Sequence, residues 1–335
     1  MVPPERPVLV APDSFKGTFR ASQVAGAIGR GLERAGLMPP DLCPVADGGE
    51  GTLDAVLPQL GGELVAADVH DPLGRPLRAS FGLLEEGAAA LVEMAAASGL
   101  GLLAEDERDA WAASTYGTGE LIAAAVRAGA RVILVAVGGS ATTDGGAGAL
   151  EAIEAAGGLS GARIVVLCDV RTPWEDAPRV FGPQKGADPE LVVRLERRLD
   201  EVAQRLPRDP RGVPMSGCAG GLSGGLWAAH DAVLEPGAQW VLDALDFDER
   251  MRAARAVVTG EGRLDEQSLQ GKLVFEIGTR TRQGGVPLHA IVGRDELDAF
   301  GKRMIDLQVV LEATTLAELE TAGEELGRAL AEGRA

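Results

Sequence analysis

The chain has 335 residues, of which 46% are hydrophobic and 4% aromatic, and its formal net charge is −18. Domains cluster at about 100–200 residues, so this length favours two lobes whose cores are filled by Ala, Val and Leu rather than by aromatic rings. The negative charge argues against nucleic acid and anionic membranes as partners, and three cysteines without a CxxC pair argue against a disulfide framework or a structural zinc site.

The first strands and helices alternate. Residues 8–11 form a short apolar run that predicts a buried parallel strand, and Ser22 is placed to cap a helix that runs to Arg34. Residues 42–46 predict a second strand, and a second helix is expected from Thr52. This alternation is typical of right-handed βαβ units.

The rhythm changes in the middle of the chain. Three strands are predicted in quick succession, at 63–69, 77–84 and 88–93, with turns at 71–74 and 86–87. Such direct hairpins make antiparallel pairs, so a mixed sheet is expected here. Alternation then resumes, with predicted elements in this order: helix 119–127, strand 132–137, helix 147–156, strand 164–167 and helix 189–206.

The C-terminal third again alternates strand and helix. A glycine-dense loop at 217–225 leads into a helix that contains Trp227, and the later elements are strand 257–259, helix 273–283, strand 288–292, strand 309–311 and helix 315–333. We therefore predict an α/β protein in which residues 1–62 and 241–335 form a doubly wound lobe. Residues 63–240 would form an inserted α/β lobe with a mixed sheet, and the active site would lie in the cleft between the lobes.

Five loops combine glycine with charged or hydroxyl side chains, each after an apolar strand or before a helix. They are residues 12–17, 47–51, 138–146, 182–186 and 259–265. In open α/β sheets, ligands bind beyond the carboxyl ends of the strands, where Asp13, Asp47, Gly138 and Gly260 are expected. Each loop alone could be a turn that caps a helix, but five in one chain favour a shared binding function.

The loop 138–146 has the composition of an anion site. Its glycines allow backbone N–H groups to approach a phosphate or carboxylate, Ser140, Thr142 and Thr143 add hydroxyls, and the next helix presents its N-terminus. The second glycine loop, 217–225, could do the same or could serve close backbone packing.

Charged residues near these loops suit phosphoryl transfer, which depends on positioning and charge neutralisation. Lys16, Lys185, Arg263 and Lys272 could bind a phosphate or a substrate carboxylate. Seven acidic residues could hold Mg²⁺ or accept a hydroxyl proton, and their individual roles stay open: Asp13, Asp47, Glu50, Asp144, Asp169, Glu261 and Asp265.

Standard nucleotide signatures are missing from the sequence, which contains neither GxxxxGK[ST] nor GxGxxG. Residues 221–225 do match the GxSxG pattern of a serine hydrolase, with Ser223 as nucleophile, Asp265 as acid and His289 as base. The residues before Ser223 form a poor strand and His289 lies in an apolar run, so this alternative is disfavoured.

Seven ordered stretches resemble the bacterial glycerate kinase family. They are residues 11–17, 46–52, 115–121, 138–142, 144–148, 180–187 and 259–265. The resemblance implies a two-lobed fold with a flavodoxin-like lobe, and ATP-dependent, Mg²⁺-dependent phosphorylation of D-glycerate, for which we favour 2-phosphoglycerate as the product. The alternative is a non-catalytic protein that binds nucleotide or a hydroxy acid.

From these features we predict three sets of site residues. The catalytic candidates are Asp13, Lys16, Asp47, Asp169, Lys185, Arg263 and Asp265. The candidates for cofactor binding are Gly138, Gly139, Ser140, Thr142, Asp144, Gly145, Gly217, Gly220, Gly221, Glu261 and Lys272. The candidate magnesium ligands are Asp169, Glu261 and Asp265. Because the sequence shows neither a signal peptide nor a long apolar run, we expect a cytoplasmic protein, and a homodimer is a further prediction.

Overall fold

The computed structural model describes residues 6–15, 17–269 and 272–334. Two compact units emerge. The terminal unit comprises the chain up to Asp47, Asp54–Val56 and the chain from Val241 onward, and the middle unit comprises Gly48–Leu53 and Leu57–Trp240. The boundaries predicted from the sequence, at 62/63 and 240/241, stay a prediction.

The strands and helices follow in chain order. The strands are β1 (Val8–Pro12), β2 (Asp41–Leu42), β3 (Glu63–His70), β4 (Pro76–Leu84), β5 (Ala89–Glu93), β6 (Val132–Ala136), β7 (Arg163–Cys168), β8 (Val233–Pro236), β9 (Ala256–Gly260), β10 (Leu288–Val292) and β11 (Leu307–Glu312). The helices are α1 (Ala21–Arg34), α2 (Thr52–Leu60), α3 (Ala95–Ser98), α4 (Tyr116–Arg127), α5 (Ala147–Ala155), α6 (Ala177–Phe181), α7 (Pro189–Ala203), α8 (Leu222–His230), α9 (Gly237–Ala244), α10 (Phe247–Ala253), α11 (Leu273–Gly284), α12 (Ala299–Ile305) and α13 (Leu316–Ala331).

The terminal unit contains a five-stranded parallel sheet in the order β11-β10-β9-β1-β2. Every residue of β1, β9 and β10 is buried, so both faces of the central strands are covered, as a doubly wound sheet requires. Counted within this unit alone, the strand order is 2-1-3-4-5, which is the flavodoxin-like order. The strand order reverses between β1 and β9, so ligands are expected at that point of the sheet.

Helices α1 and α13 cover one face of this sheet. Their apolar side chains, such as Ile28 and Leu326, form one core with Val10 and Val258 of the strands. The two helices approach closely because Gly31 has no side chain, and a Cβ there would lie 2.1 Å from the carbonyl oxygen of Glu320.

The middle unit contains a six-stranded sheet in the sequential order β3 to β8. β3, β4 and β5 pair antiparallel, while β5 to β8 pair parallel. Its core joins the strands to α4, α5 and α8 through residues such as Ile133, Leu121 and Leu226. The predicted α/β class, the doubly wound sheet and the mixed sheet after the hairpins are confirmed.

Several boundaries differ from the prediction. α1 begins at Ala21 with Arg20 as its N-cap, because the Gln23 side chain accepts the Arg20 amide at 3.0 Å, while Ser22 donates to Asp54 instead. The predicted strand 42–46 is reduced to two paired residues. Pro44 has no amide hydrogen, although Cys43 still donates to Val10 at 2.8 Å.

Some short elements were missed, and one predicted helix is too long. The edge strand β8 and the helices α9, α10 and α12 have four to eight residues, too few for a clear periodic signal. α7 ends at Ala203 rather than at Leu206. None of the helices in the described ranges combines the length and apolar character needed to cross a bilayer.

Candidate active site

A pocket of about 500 Å³ opens in the terminal unit where β1, β9 and β10 end. We call it the carboxylate pocket. Parallel strands bring their carboxyl ends to one edge of the sheet, and the reversal of strand order leaves a crevice there. Six predicted site residues line it: Asp13, Asp47, Glu261, Arg263, Asp265 and Lys272.

Two of these carboxylates follow neighbouring strands. Asp13 follows β1 and Asp47 follows β2, and both side chains are buried. The Asp13 amide donates to the carbonyl of Gly260 at 2.8 Å, and its carboxylate accepts the amide of Ser14 at 2.6 Å. The bond to Gly260 holds the ends of β1 and β9 side by side, which places Asp13 next to the loop that carries Glu261.

The loop after β9 holds a second pair of carboxylates. The Ser268 hydroxyl donates to Glu261 Oε1 at 2.6 Å and accepts the Asp265 amide at 3.2 Å. Asp265 Oδ1 also accepts the amide of Gln267 at 2.8 Å. The short 3₁₀ helix Glu266–Leu269 therefore holds both carboxylates in position relative to each other.

Glu261 is an acid of this pocket with a strongly raised pKa. Its pKa is raised to about 7, chiefly by burial and with help from the charges of Asp265 and Asp47, against the lowering effects of the Ser268 hydrogen bond and the Lys272 charge. Crowded negative charge of this kind favours a proton or a bound cation.

Two of the three cations that line the pocket were predicted site residues, and both remain accessible to solvent. Arg263 is exposed, and its guanidinium lies 3.7 Å from Glu296. The Lys272 ammonium lies 3.4 Å from Gln267 Oε1. Weak partners of this kind leave both groups available for an anionic ligand.

Further polar residues line the carboxylate pocket that are not among the predicted site residues. They are Ser14, Thr18, Gln267, Ser268, Arg294 and Thr314. The rule that ligands lie beyond strand ends could have identified Arg294 and Thr314, which follow β10 and β11. Nothing in the sequence marks Ser268, because its role depends on how the 3₁₀ turn folds back toward Glu261.

The middle unit contains a buried lysine bound to the glycine loop 138–146. Lys185 is 1% exposed, and its ammonium donates to Ser140 Oγ at 2.9 Å and to the Thr142 carbonyl at 2.6 Å. Burial lowers its pKa to about 8, against the raising effect of Asp144 and Asp169. The lysine therefore still carries its charge at neutral pH.

The glycine loop requires glycine at several positions. Gly139 has φ +78°, and a Cβ at Gly138 would lie 2.6 Å from the Cα of Gly49 and 3.4 Å from Asp169 Oδ2. Asp169 follows β7 as Gly138 follows β6, and these strands are neighbours in the sheet. The structure thus brings Gly138, Ser140, Asp169 and Lys185 together, all of which were predicted site residues.

Asp144 has a different environment from the other predicted acids. Its buried carboxylate accepts the Thr115 amide and hydroxyl at 2.9 and 2.8 Å, the Gly146 amide at 3.0 Å and the Gly148 amide at 3.2 Å. These bonds organise the start of α5. The carboxylate reaches a cofactor only if that local network is disturbed.

The second glycine loop packs against the first. A Cβ at Gly220 would lie 2.0 Å from the Thr142 carbonyl oxygen, one at Gly221 would lie 2.9 Å from the Cα of Gly145, and one at Gly217 would lie 2.3 Å from the Pro173 carbonyl oxygen. Gly220 and Gly221 therefore support the shape of the loop 138–146, whereas Gly217 packs against the backbone at Pro173. Thr142 lies at the same contact between the two loops, and its hydroxyl is 3.5 Å from the Ala219 carbonyl oxygen.

The hydrolase alternative finds no support in the local geometry. Ser223 follows a 3₁₀ turn rather than a strand, it is buried, and its hydroxyl faces the carbonyls of Met215 and Cys218 at 2.7 and 3.2 Å. His289 is buried in β10. The predicted catalytic residue Lys16 lies outside the described residues.

The predicted magnesium ligands are divided between the units. Glu261 and Asp265 line the carboxylate pocket, while Asp169 belongs to the middle unit. Over the described ranges, no group of three or more His, Cys, Asp or Glu side chains has the arrangement of a metal site. Magnesium is usually held by one or two carboxylates together with substrate phosphates, so the crowded acids of the pocket fit this donor set.

Comparison with known proteins identifies the family. Residues 8–157 and 153–332 match the sequence profile of the glycerate kinase family. A glycerate kinase from Haemophilus influenzae is 36% identical in a match that covers 95% of this chain and 94% of that protein. A glycerate 2-kinase from Escherichia coli is 37% identical in a match that covers 85% of this chain and 84% of that protein.

A solved structure agrees with this comparison. A crystal structure from Salmonella typhimurium LT2, assigned to glycerate kinase 2, matches with a TM-score of 0.81 and 33% identity, and covers 98% of this chain and 99% of that one. The predicted resemblance is confirmed, and so is the predicted enzyme class. The chain is a phosphotransferase that belongs to the glycerate kinase family.

Proposed function

We propose that this protein phosphorylates D-glycerate with ATP and releases ADP and a phosphoglycerate, with 2-phosphoglycerate as the favoured product. The observation that carries the proposal is the carboxylate pocket, where Asp13, Asp47, Glu261 and Asp265 converge from separate parts of the chain beside three cations. Phosphoryl transfer needs this combination of acids for a metal and a proton, and of cations for phosphate or carboxylate groups.

The carboxylate pocket would supply the metal and base functions. Glu261 and Asp265 would hold Mg²⁺, which neutralises charge on the phosphates when it is bound. Asp13 and Asp47, both buried at the edge of the sheet, would orient the substrate hydroxyl and accept its proton. Arg263 and Lys272 would bind the anionic groups of the substrates.

The middle unit would supply an anion cradle. Lys185 would present its ammonium to a phosphate or to the glycerate carboxylate, in exchange for its hydrogen bond with Ser140. The amides of Gly138 and Gly139 would add donors to the same group, and Asp169 would keep the lysine charged. We also propose a cytoplasmic, homodimeric enzyme with lobes 1–62 plus 241–335 and 63–240.

The test is an ADP-release assay with ATP, Mg²⁺ and a series of small hydroxy acids. We expect turnover with D-glycerate, and a loss of at least about 100-fold in Lys185→Met, Asp265→Asn and Lys16→Ala. Lys302→Met and Asp188→Asn are the matched controls and should keep their activity. Binding of nucleotide or glycerate without any ADP release would instead favour the non-catalytic alternative.

The position of phosphorylation needs a second assay. The product is supplied to enolase, which accepts 2-phosphoglycerate, with and without a phosphoglycerate mutase. We expect enolase turnover without the mutase. A strict requirement for the mutase would show that the 3-hydroxyl is the acceptor, and would leave the kinase proposal intact.

A further inference from the structure

A second cavity, of about 470 Å³, lies on the C-terminal half of α7 in the middle unit. We call it the arginine cavity. Four arginines line it, together with Trp111, Ala147, Glu201 and Val202: Arg194, Arg197, Arg198 and Arg205. Its volume lies in the range of about 300–1,000 Å³ that small-molecule sites occupy.

The arginines of this cavity carry unbalanced charge in a protein whose net charge is −18. Among the described residues, none of the four guanidiniums forms an ion pair with a carboxylate, whereas Arg250 and Arg280 do. Arg197 and Arg198 follow Arg194 by three and four residues on one helix, where like charges repel. Glu201 offsets one of the four charges, so an excess of positive charge remains.

Trp111 orients two of the arginines. The guanidinium carbons of Arg194 and Arg198 lie 4.5 and 5.1 Å from the centre of its ring, and Arg198 also donates to the Trp111 carbonyl at 2.7 Å. These contacts restrict the rotamers of two long side chains before any ligand binds, which lowers the entropy cost of binding.

We propose that the arginine cavity binds a small organic phosphate that carries at least two anionic groups. Guanidinium groups match phosphate oxygens through paired N–H donors, and a cluster of them selects a multiply charged anion. Two guanidiniums already lie close to the Trp111 ring, so recognition at this cavity would depend on the arginine donors. The net charge and the small volume of the cavity disfavour nucleic acid.

The arginine cavity adjoins the loop 138–146 without sharing the residues assigned to the proposed active site. Ala147, which lines it, is the first residue of α5 and follows that loop directly. Val202, which also lines the cavity, lies 3.0 Å from the place that a Cβ would take at Gly145. A ligand here would contact the helix that the glycine loop begins.

The test uses the full chain, inorganic pyrophosphate as the probe and isothermal titration at low ionic strength. We expect a saturable binding event that weakens at least tenfold in Arg197→Gln/Arg205→Gln. The control Arg127→Gln/Arg303→Gln removes the same charge from exposed arginines elsewhere and should bind as the wild type does. All four positions are exposed, so the variants should keep the wild-type melting temperature.

Two further titrations test whether the arginine cavity selects phosphate. Arg197→Lys/Arg205→Lys keeps the charge but removes the paired donors, so its affinity for pyrophosphate should fall between those of the wild type and the glutamine variant. Citrate should bind more weakly than pyrophosphate if the site selects phosphate. Absence of saturable binding, equal affinity in the two double glutamine variants, or tighter binding of citrate would overturn the proposal.

Discussion

The ammonium of Lys185 donates to the carbonyl oxygen of Thr142 at 2.6 Å inside the middle unit. This bond ties a buried positive charge to the backbone of the glycine loop. The loop thus has a definite shape before any anion binds, and a cationic donor is already present within it. Preorganised donors of this kind stabilise charge more effectively than mobile ones.

Because Lys185 is buried, the free energy of unfolding should change with pH in the alkaline range. Its pKa is about 8 in the folded chain and about 10.4 in an unfolded one, so between these values the unfolded chain binds more protons. The contribution of Lys185 to the free energy of unfolding therefore rises with pH between these two values. The stability of Lys185→Met relative to wild type should be higher at pH 7 than at pH 10, by up to about 3 kcal/mol.

Urea unfolding at the two pH values measures this difference. Other groups titrate equally in both proteins and cancel in the comparison. Lys302→Met, in which an ion-paired surface lysine is removed, is the matched control and should show little change between pH 7 and pH 10. If Lys185→Met differs from the wild type by the same free energy at both pH values, the pKa of Lys185 is not lowered by burial.

Glu261→Gln should stabilise the protein when no metal is present. The folded pKa of Glu261 is about 7 and its ordinary value is 4.5, so the folded chain binds more protons between them, and stability falls as pH rises through this range. At pH 8 the variant should therefore melt a few degrees above the wild type.

Magnesium should reverse the order of the two melting temperatures, because a bound cation reduces the repulsion among the carboxylates of the wild-type pocket. Thermal melts at pH 8 with and without MgCl₂ should show a larger rise in melting temperature for the wild type than for Glu261→Gln. Glu249→Gln, a change at an exposed glutamate of α10, should respond as the wild type does. Equal rises in melting temperature in all three proteins would show that Glu261 does not bind magnesium.

Asp144→Asn should lower the free energy of unfolding of the protein. The carboxylate accepts four hydrogen bonds from Thr115, Gly146 and Gly148, and an amide in its place would point an N–H₂ group at other donors. We expect a loss of about 3 kcal/mol or more in urea unfolding. Asp188→Asn, at the N-cap of α7, should cost less than about 0.5 kcal/mol because Asn is an equally good cap.

Gly220→Ala should destabilise the loop 138–146 far more than Gly212→Ala. Both glycines have positive φ, +62° and +73°, so both variants suffer backbone strain of about 1–2 kcal/mol. Only Gly220 faces other backbone, since a Cβ there would lie 2.0 Å from the Thr142 carbonyl oxygen. An additional cost of about 2 kcal/mol or more is expected in urea unfolding, and similar costs for both would contradict the packing described here.

The local pattern of the sequence was sufficient for most of the fold. The buried run at 8–11, the hairpins between 63 and 93 and the helix from Thr52 are set by apolar periodicity and turn residues, which act over a few neighbours. The shared motifs were sufficient for the family. Short elements such as β8 and α12 were not predictable, because their positions depend on the sheet or helix against which they pack.

The site divides in the same way. The sequence by itself determined the candidate acids and cations, because strand ends followed by glycine and charge mark ligand-binding loops in α/β proteins. Only the tertiary structure decided that Glu261 shares Ser268 with Asp265, that Lys185 binds the Thr142 carbonyl, and that Asp144 is committed to backbone amides. Hydrogen bonding and burial depend on residues distant in the chain, and these contacts, rather than residue type, determine which charged group remains available for a ligand.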